Sequence, residues 1–292
     1  NFHDTRRRFH ELEKFGLHFI GMGVSGGEEG ALHGPALMPG GDEAAFEKVR
    51  PILEAIAAKT PEGRPCVSYI GPEASGHYVK MVHNGIEYGI MQLFSEAYDM
   101  LRKACGLSND EMSALFDKWN HEDLQCYLAE ITAEVLKKDD DLTSDKVIDH
   151  ILNEASYKGT GNWTLEDAIV LGAPISVIAE AVLARFMSKA TTRAGKEISV
   201  DQSKISSDLP ELIASALYLG QAVCYAQGFM QLKMAAKAYD WTLRYPGIAQ
   251  NWEAGCIIRS KTLKDIEDAF EGNPEINNLF EAPFFAKMMQ NR

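Results

Sequence analysis

From Gly76 to its end the chain shows no strand pattern. It shows apolar residues recurring at helical spacing, and a chain so patterned must bury helices against one another. His77 to Lys103 reads as one long helix stopped by Gly106. Ser108-Asn109-Asp110-Glu111 is a capping box, opening a helix with Leu115, Phe116 and Trp119 on its apolar side. The charged run Lys137 to Asp141 is expected to be a solvated loop. Thr164 is expected to cap a short helix ending near Gly172, and Pro174 to open the next, which runs through Arg185. Thr192 to Asp208 is polar and reads as a mobile loop. Pro210 opens a helix reaching about Trp241, whose Leu212, Ile213, Ala216, Leu217, Leu219, Gly220 and Val223 are too apolar for a surface position. Such a helix belongs in a bundle core or, around Leu217 to Tyr225, at a subunit interface.

The residues before Gly76 follow another pattern. Leu17 to Gly21 and Val67 to Gly71 are short apolar runs closed by glycine. Between them, Asp42 to Thr60 carries Phe46, Val49, Leu53, Ile56 and Ala57 at a period near 3.6. Strand, loop, helix, strand predicts the end of an α/β unit with a predominantly parallel sheet. Two strands cannot hold such a sheet alone, since both faces need cover. The chain also starts without Met, so it is expected to begin inside a longer protein. The expected architecture is mainly α: an α/β remnant over residues 1–74, then an all-α domain over 75–292.

The bulk composition narrows the function. With 292 residues, 46% hydrophobic and 24% charged, the chain has room for two domains. Its formal charge of −13 disfavours nucleic acid or an anionic membrane as partner. Charges or glycines break the longest apolar stretches, so no membrane span is expected. Asn1 to Asp4, followed by Arg6-Arg7-Arg8, lacks the apolar run of a signal peptide. Five scattered cysteines without a CxxC pair predict buried thiols in a reducing compartment, the cytoplasm, and no metal site.

Three segments carry chemistry. In Gly76-His77-Tyr78-Val79-Lys80-Met81-Val82-His83-Asn84-Gly85-Ile86-Glu87-Tyr88-Gly89, the residues Lys80, His83, Asn84 and Glu87 stand at i, i+3, i+4 and i+7, with Tyr88 adjacent. They form one polar stripe on a helix. A solvated face is the ordinary reading, but Gly85 and Gly89 each cost roughly 1 kcal/mol in a helix interior unless something approaches closely. His, Asn and Tyr are also poor choices for a face that merely meets water. The alternative is an acid–base pair: a partly desolvated lysine as base and a protonated glutamate two turns away as acid. The second segment, Gly23-Val24-Ser25-Gly26-Gly27-Glu28-Glu29-Gly30, follows the first strand, where backbone N–H groups and the Ser25 hydroxyl can meet a ligand. It is not a GxGxxG fingerprint. The third is a pair of cations: Lys158 in the turn Lys158-Gly159-Thr160-Gly161, and Arg185 among Val182, Leu183, Ala184, Phe186 and Met187. An arginine in an apolar segment calls for an anion, and a phosphate suits its fork.

Together with Met38-Pro39-Gly40-Gly41 and Gly255-Cys256-Ile257-Ile258-Arg259, these segments resemble the 6-phosphogluconate dehydrogenase family over nearly the whole chain. The resemblance implies that residues 1–74 are the last strands and helices of an incomplete Rossmann-like coenzyme domain, and that 75–292 are the substrate and dimerisation domain. It implies oxidation of 6-phosphogluconate with NADP, release of CO₂ and ribulose 5-phosphate, no metal, and a homodimer. Lys80 would be the base and Glu87 the acid. Ser25, Gly26 and Gly27 would hold the carboxylate end, with His83 and Asn84 orienting carboxylate and hydroxyls. Tyr88, Lys158 and Arg185 would hold the phosphate, and Thr160 would be a further substrate-binding residue. The family's first half-domain, with the main NADP site, and its C-terminal tail are not in this sequence. Ile90 stands where the family usually has Asp, and Asn162 where Lys is usual. Two other readings follow from the same residues: a catalytically inactive dimerisation or scaffold fragment, or a related β-hydroxyacid dehydrogenase acting on a smaller, unphosphorylated acid.

Overall fold

The structure, a computed structural model, describes residues 1–156, 159–190 and 200–291. In chain order these form helix α1 (Phe2–Glu13), strand β1 (Ile20–Ser25), α2 (Gly27–His33), β2 (Ala36–Gly41) and α3 (Glu43–Ile56). Then come α4 (Ser75–Lys103), α5 (Asn109–Asn120), α6 (Tyr127–Lys137), α7 (Thr160–Leu171), α8 (Ser176–Ser188) and α9 (Leu209–Tyr239). The last three are α10 (Tyr245–Trp252), α11 (Thr262–Gly272) and α12 (Pro283–Asn291). The mainly helical class is as expected, and none of the described helices is long and apolar enough to cross a membrane.

The small sheet corrects the parallel expectation. β1 and β2 pair antiparallel, from Ile20 opposite Gly41 to Ser25 opposite Ala36. The run Val67 to Gly71 does lie parallel to β2, bridging Leu37 to Val67, with Leu37 donating to the Cys66 carbonyl and Ile70 to that of Pro39. Pro39 has no N–H to return, which leaves a gap in the ladder before Gly41 donates to the Gly71 carbonyl at 3.0 Å. Helix α1 was not anticipated. The Asn1 side chain caps it by accepting from the His3 N–H, and Phe2 is buried among Tyr78, Tyr239 and Trp241.

Helix α4 is the axis of the molecule, packing against β1, β2, α7, α8 and α9. Its apolar residues Val79, Met81, Val82, Ile86 and Ile90 are all in the main core. The close approach expected at its glycines is present. A Cβ on Gly85 would come within 2.6 Å of the Thr164 methyl, and one on Gly89 within 2.7 Å of the Cys224 sulfur. The capping box at Ser108 and Glu111 forms, and Gly172 ends α7 in the left-handed conformation. Thr164 does not cap: it lies inside α7, buried, and its hydroxyl donates to the Met81 carbonyl at 2.7 Å. Burial against α4, not a helix start, explains that threonine. Pro174 precedes α8, which opens at Ser176. After α6 ends at Lys137, residues 138 and 139 are exposed, as expected. Of the stretch expected to be mobile, residues 192–199 lie outside the described residues, and Gln202–Lys204 form a short turn. Leu217 and Tyr225 of α9 are buried within the chain itself and belong to its main core.

Arg64 ties the loop after α3 to the helices that follow the core. It donates to Glu267 of α11 at 2.5 and 2.8 Å and to Glu253, the residue ending α10, at 3.2 Å; Lys264 reaches Glu267 at 3.1 Å. The segment so anchored continues to Gly255, whose carbonyl accepts from the Ala36 N–H at the start of β2.

Candidate active site

β1 lies against α4 because Gly23 has no side chain; a Cβ there would strike the Lys80 stem. This contact brings the end of β1 over the polar stripe of α4. Beyond Ser25, Gly26 and Gly27 take positive φ (136° and 57°), turning the chain directly into α2. The expected loop is therefore only two residues long before helix resumes. On the other side, α7 starts at Thr160, whose hydroxyl accepts from the Asn84 side-chain amide at 2.7 Å.

Between these elements lies a cleft of about 970 Å³, lined by Ser25, Gly26, Gly27, Lys80, Asn84, Glu87, Tyr88, Thr160 and Arg185. Nine of the eleven residues expected from the sequence thus share one cavity. Lys158 lies outside the described residues. His83 is buried beneath the cleft floor, 0% exposed, and does not line it.

The stripe is not a solvated face. Tyr88 is buried, and Lys80, Asn84 and Glu87 are only half-buried. Lys80 donates to the Asn84 side-chain oxygen and stands 3.1 Å from Nδ1 of His83. Burial pulls the lysine below its ordinary pKa, against the pull of Glu87 and Cys256. Burial, and then Lys80, push His83 well below the usual histidine value. A Glu87 carboxylate oxygen lies 3.9 Å from His83 Nδ1. An amine biased toward its free form, two turns from a carboxyl group on the same wall, can abstract and deliver protons on one bound molecule.

Arg185 corrects the expectation that apolar neighbours bury it. Leu183, Phe186 and Met187 are exposed, because α8 turns only Ile178, Ala181 and Val182 inward. Its guanidinium instead lies 3.6 Å over the Tyr88 ring and donates to the Ser156 carbonyl at 2.5 Å. Among the described residues it makes no salt bridge, so its charge faces the cleft unneutralised. Ile90 is buried in the core and Asn162 does not line the cleft, so neither replaces a group of its wall.

Sequence reasoning gave no role to part of the wall. Gly255, Cys256, Ile257 and Arg259 line the cleft, with Tyr127 and Glu130 against Arg259. Arg259 donates to Glu130 at 2.5 Å and lies 5.0 Å over the Tyr127 ring. The motif Gly255 to Arg259 was the available signal, but only folding brings it under the loop at Gly26.

The family model for the 6-phosphogluconate dehydrogenase C-terminal domain matches residues 76–292, and that for the NAD binding domain of 6-phosphogluconate dehydrogenase matches residues 1–71. The chain belongs to the 6-phosphogluconate dehydrogenase family. It is 50% identical to the decarboxylating 6-phosphogluconate dehydrogenases of Lactococcus lactis (strain IL1403) and Escherichia coli (strain K12), over 98% of its own length. It spans 62% of the length of each of these curated relatives. A solved Plasmodium falciparum 6-phosphogluconate dehydrogenase, described in its apo form, with its cofactor NADP+ and with its substrate 6-phosphogluconate, superposes with a TM-score of 0.95 at 39% identity. That match covers 100% of this chain and 64% of the Plasmodium chain.

Proposed function

We propose that the complete protein oxidises and decarboxylates 6-phosphogluconate to ribulose 5-phosphate and CO₂ with NADP, and that this chain supplies its substrate pocket and acid–base residues. One observation carries the reading: Lys80, Asn84 and Glu87 of α4, Ser25 to Gly27 of the β1 turn, and Thr160, Tyr88 and Arg185 all face one cleft. Residues 1–74 are proposed as the coenzyme-domain portion and 75–292 as the substrate and dimerisation domain. The strand–glycine turn–helix formed by β1, Gly26, Gly27 and α2 is not the pyrophosphate cradle of a dinucleotide-binding unit: Gly21 and Gly23 lie within the strand, and its helix has only seven residues. NADP is therefore assigned to the complete protein, where it would supply the hydride acceptor.

In this reading Lys80 takes the proton of the carbon-3 hydroxyl as that carbon becomes a ketone. The carboxylate, held at Ser25, Gly26 and Gly27, is then β to the new carbonyl and leaves as CO₂. Its electron pair forms the enediol, whose oxygen recovers the proton from Lys80. Glu87 then protonates carbon 2 while Lys80 takes back the carbon-3 hydroxyl proton, which leaves the ketone of ribulose 5-phosphate. Asn84 orients the hydroxyls while bonded to Thr160. Phosphate and carboxylate together bring up to about three negative charges, for which Lys80, Lys158 and Arg185 are the proposed counter-charges despite the chain's net −13.

Arg185→Ala in the complete protein is expected to raise KM for 6-phosphogluconate by roughly 10- to 100-fold, the loss of a charge-assisted bond. Turnover of gluconate, which lacks the phosphate, should be the same in the variant and the unaltered protein. A gluconate loss equal to the 6-phosphogluconate loss would remove the phosphate role and favour an unphosphorylated substrate.

The homodimer is proposed through the outer side of α7 and α8, where Ile169 and Val170 are 72% and 80% exposed and Leu183, Phe186 and Met187 also face out. Sedimentation equilibrium should give twice the chain mass, and Val170→Glu should shift it to the monomer; a wild-type monomer would refute the pairing. The five free cysteines support a cytoplasmic location, which cell fractionation checks.

A further inference from the structure

His83 belongs to the polar stripe, yet no part of it reaches the cleft surface. Its two ring nitrogens have unlike surroundings. Nδ1 lies 3.1 Å from Lys80 Nζ and 3.1 Å from the Asn84 side-chain oxygen. Nε2 is buried and, among the described residues, has no hydrogen-bond partner, on a ring that meets Trp252 at 74° with centroids 5.7 Å apart. A ring so enclosed, beside a lysine, is held neutral and carries one proton. On Nε2 that proton would be a buried N–H with nothing to donate to. On Nδ1 it finds the Asn84 oxygen, and only a lone pair is left unpaired. Orphaned buried N–H groups are the rarer of these two defects.

We propose that His83 is a positioning residue for Lys80: its imidazole is locked with the proton on Nδ1, so that a donor faces Lys80 Nζ and favours the free amine over the ammonium. The inference rests on reading Lys80 as the base. The Asn84 oxygen accepts from Lys80, which directs an amine N–H there and leaves the lone pair for the histidine side. Two titratable groups around the amine pull the other way. Glu87, also on α4, and Cys256, on the segment after α10, both favour the ammonium. β1 presents the backbone of Gly23 and, in the same cleft, the neutral Ser25, and α7 contributes the neutral Thr160 through Asn84. Apart from burial, His83 is the group in hydrogen-bond reach of the amine that opposes the charge, and Arg185 of α8, a cation lining the same cleft, acts in the same direction. The burial of His83 gives it this role in place of the substrate contact expected from the sequence.

Two measurements on the complete protein test the lock without turnover. In ¹⁵N-histidine-labelled protein, the His83 ring should carry its proton on Nδ1 and stay neutral well below the ordinary histidine midpoint. The pH dependence of Lys80 acetylation, read by peptide mass spectrometry, gives the amine's midpoint. His83→Leu keeps the site dry and removes the donor, so the midpoint should rise by about one pH unit or more. His83→Asn, which can present an amide N–H near the Nδ1 position, should restore most of the difference. A proton on Nε2, or an unmoved midpoint in a folded His83→Leu protein, overturns the proposal. If His83→Leu does not fold, the nitrogen spectrum of the native protein decides alone. If the lock is observed but 6-phosphogluconate is not oxidised, the functional reading falls and the lock stands.

Discussion

Lys80→Ala in the complete protein is expected to lower kcat for 6-phosphogluconate oxidation by about 10²- to 10⁴-fold, the range that general-base catalysis contributes. The fold should survive. The Lys80 stem fills the gap that Gly23 leaves between β1 and α4, but both elements stay anchored by neighbours the substitution does not touch, among them the antiparallel pairing of β1 with β2. Removing a partly buried amine also removes a desolvation cost, so the thermal midpoint should hold or rise slightly. The pH profile adds a second check. Burial lowers the Lys80 pKa, and the working form is the free amine. Wild-type kcat/KM should therefore climb with pH through a midpoint below the ordinary lysine value, and this limb should vanish in the variant. Near-normal turnover in Lys80→Ala would sink the base assignment.

Arg64→Ala is expected to destabilise the protein by about 3 kcal/mol near pH 8, because it strands buried carboxylates. Side-chain exposure is 5% for Glu253 and 3% for Glu267, while Arg64 is 35% exposed, so its own removal from water is only partial. Lys264 remains bonded to Glu267, which leaves Glu253 as the group most affected. Burial, and then Glu267, push Glu253 up to about 7 from the ordinary glutamate value. A carboxyl raised in the folded state binds its proton more tightly there than in the unfolded chain. Its stabilising contribution is full below about 4.5 and is lost as pH rises from there through about 7. The penalty of Arg64→Ala should therefore shrink toward pH 5, where Glu253 is neutral and needs no cation. Denaturant titrations at the two pH values measure this. An equal penalty at both would show that the arginine acts through packing alone. Because the same network anchors the segment leading to Gly255, the loop at Gly26 should also bind substrate less tightly in the variant.

The helical part of the molecule was the more legible in sequence. The long apolar periods of α4 and α9, the Ser108 capping box and the stop at Gly172 are local signals, set within a few residues of where they act. The stripe Lys80, His83, Asn84 and Glu87 was legible for the same reason, since helix periodicity alone puts those residues on one face. The small sheet was less so. β2 is built of Ala36-Leu37-Met38-Pro39-Gly40-Gly41, which has no strand alternation and falls in the stretch expected to be loop, yet it is wholly buried and packs on β1 and α4. Pairing with β1 outweighs local propensity there. Thr164 misled because a threonine ahead of a helical run has two explanations, a cap or a buried hydroxyl with a partner on another helix, and the partner is the distant Met81 carbonyl.

Sequence by itself determined the helical class, the family resemblance and the chemical identity of the groups in the cleft, because these depend on residue types at short, regular spacing. Tertiary structure alone decided how each group is used. It set His83 beneath the cleft with one nitrogen orphaned, turned Arg185 onto Tyr88 with its charge toward the cavity, and brought Gly255 to Arg259 into the wall. Burial, tautomer and electrostatic partner arise from contacts between residues far apart in the chain. No local pattern encodes those contacts.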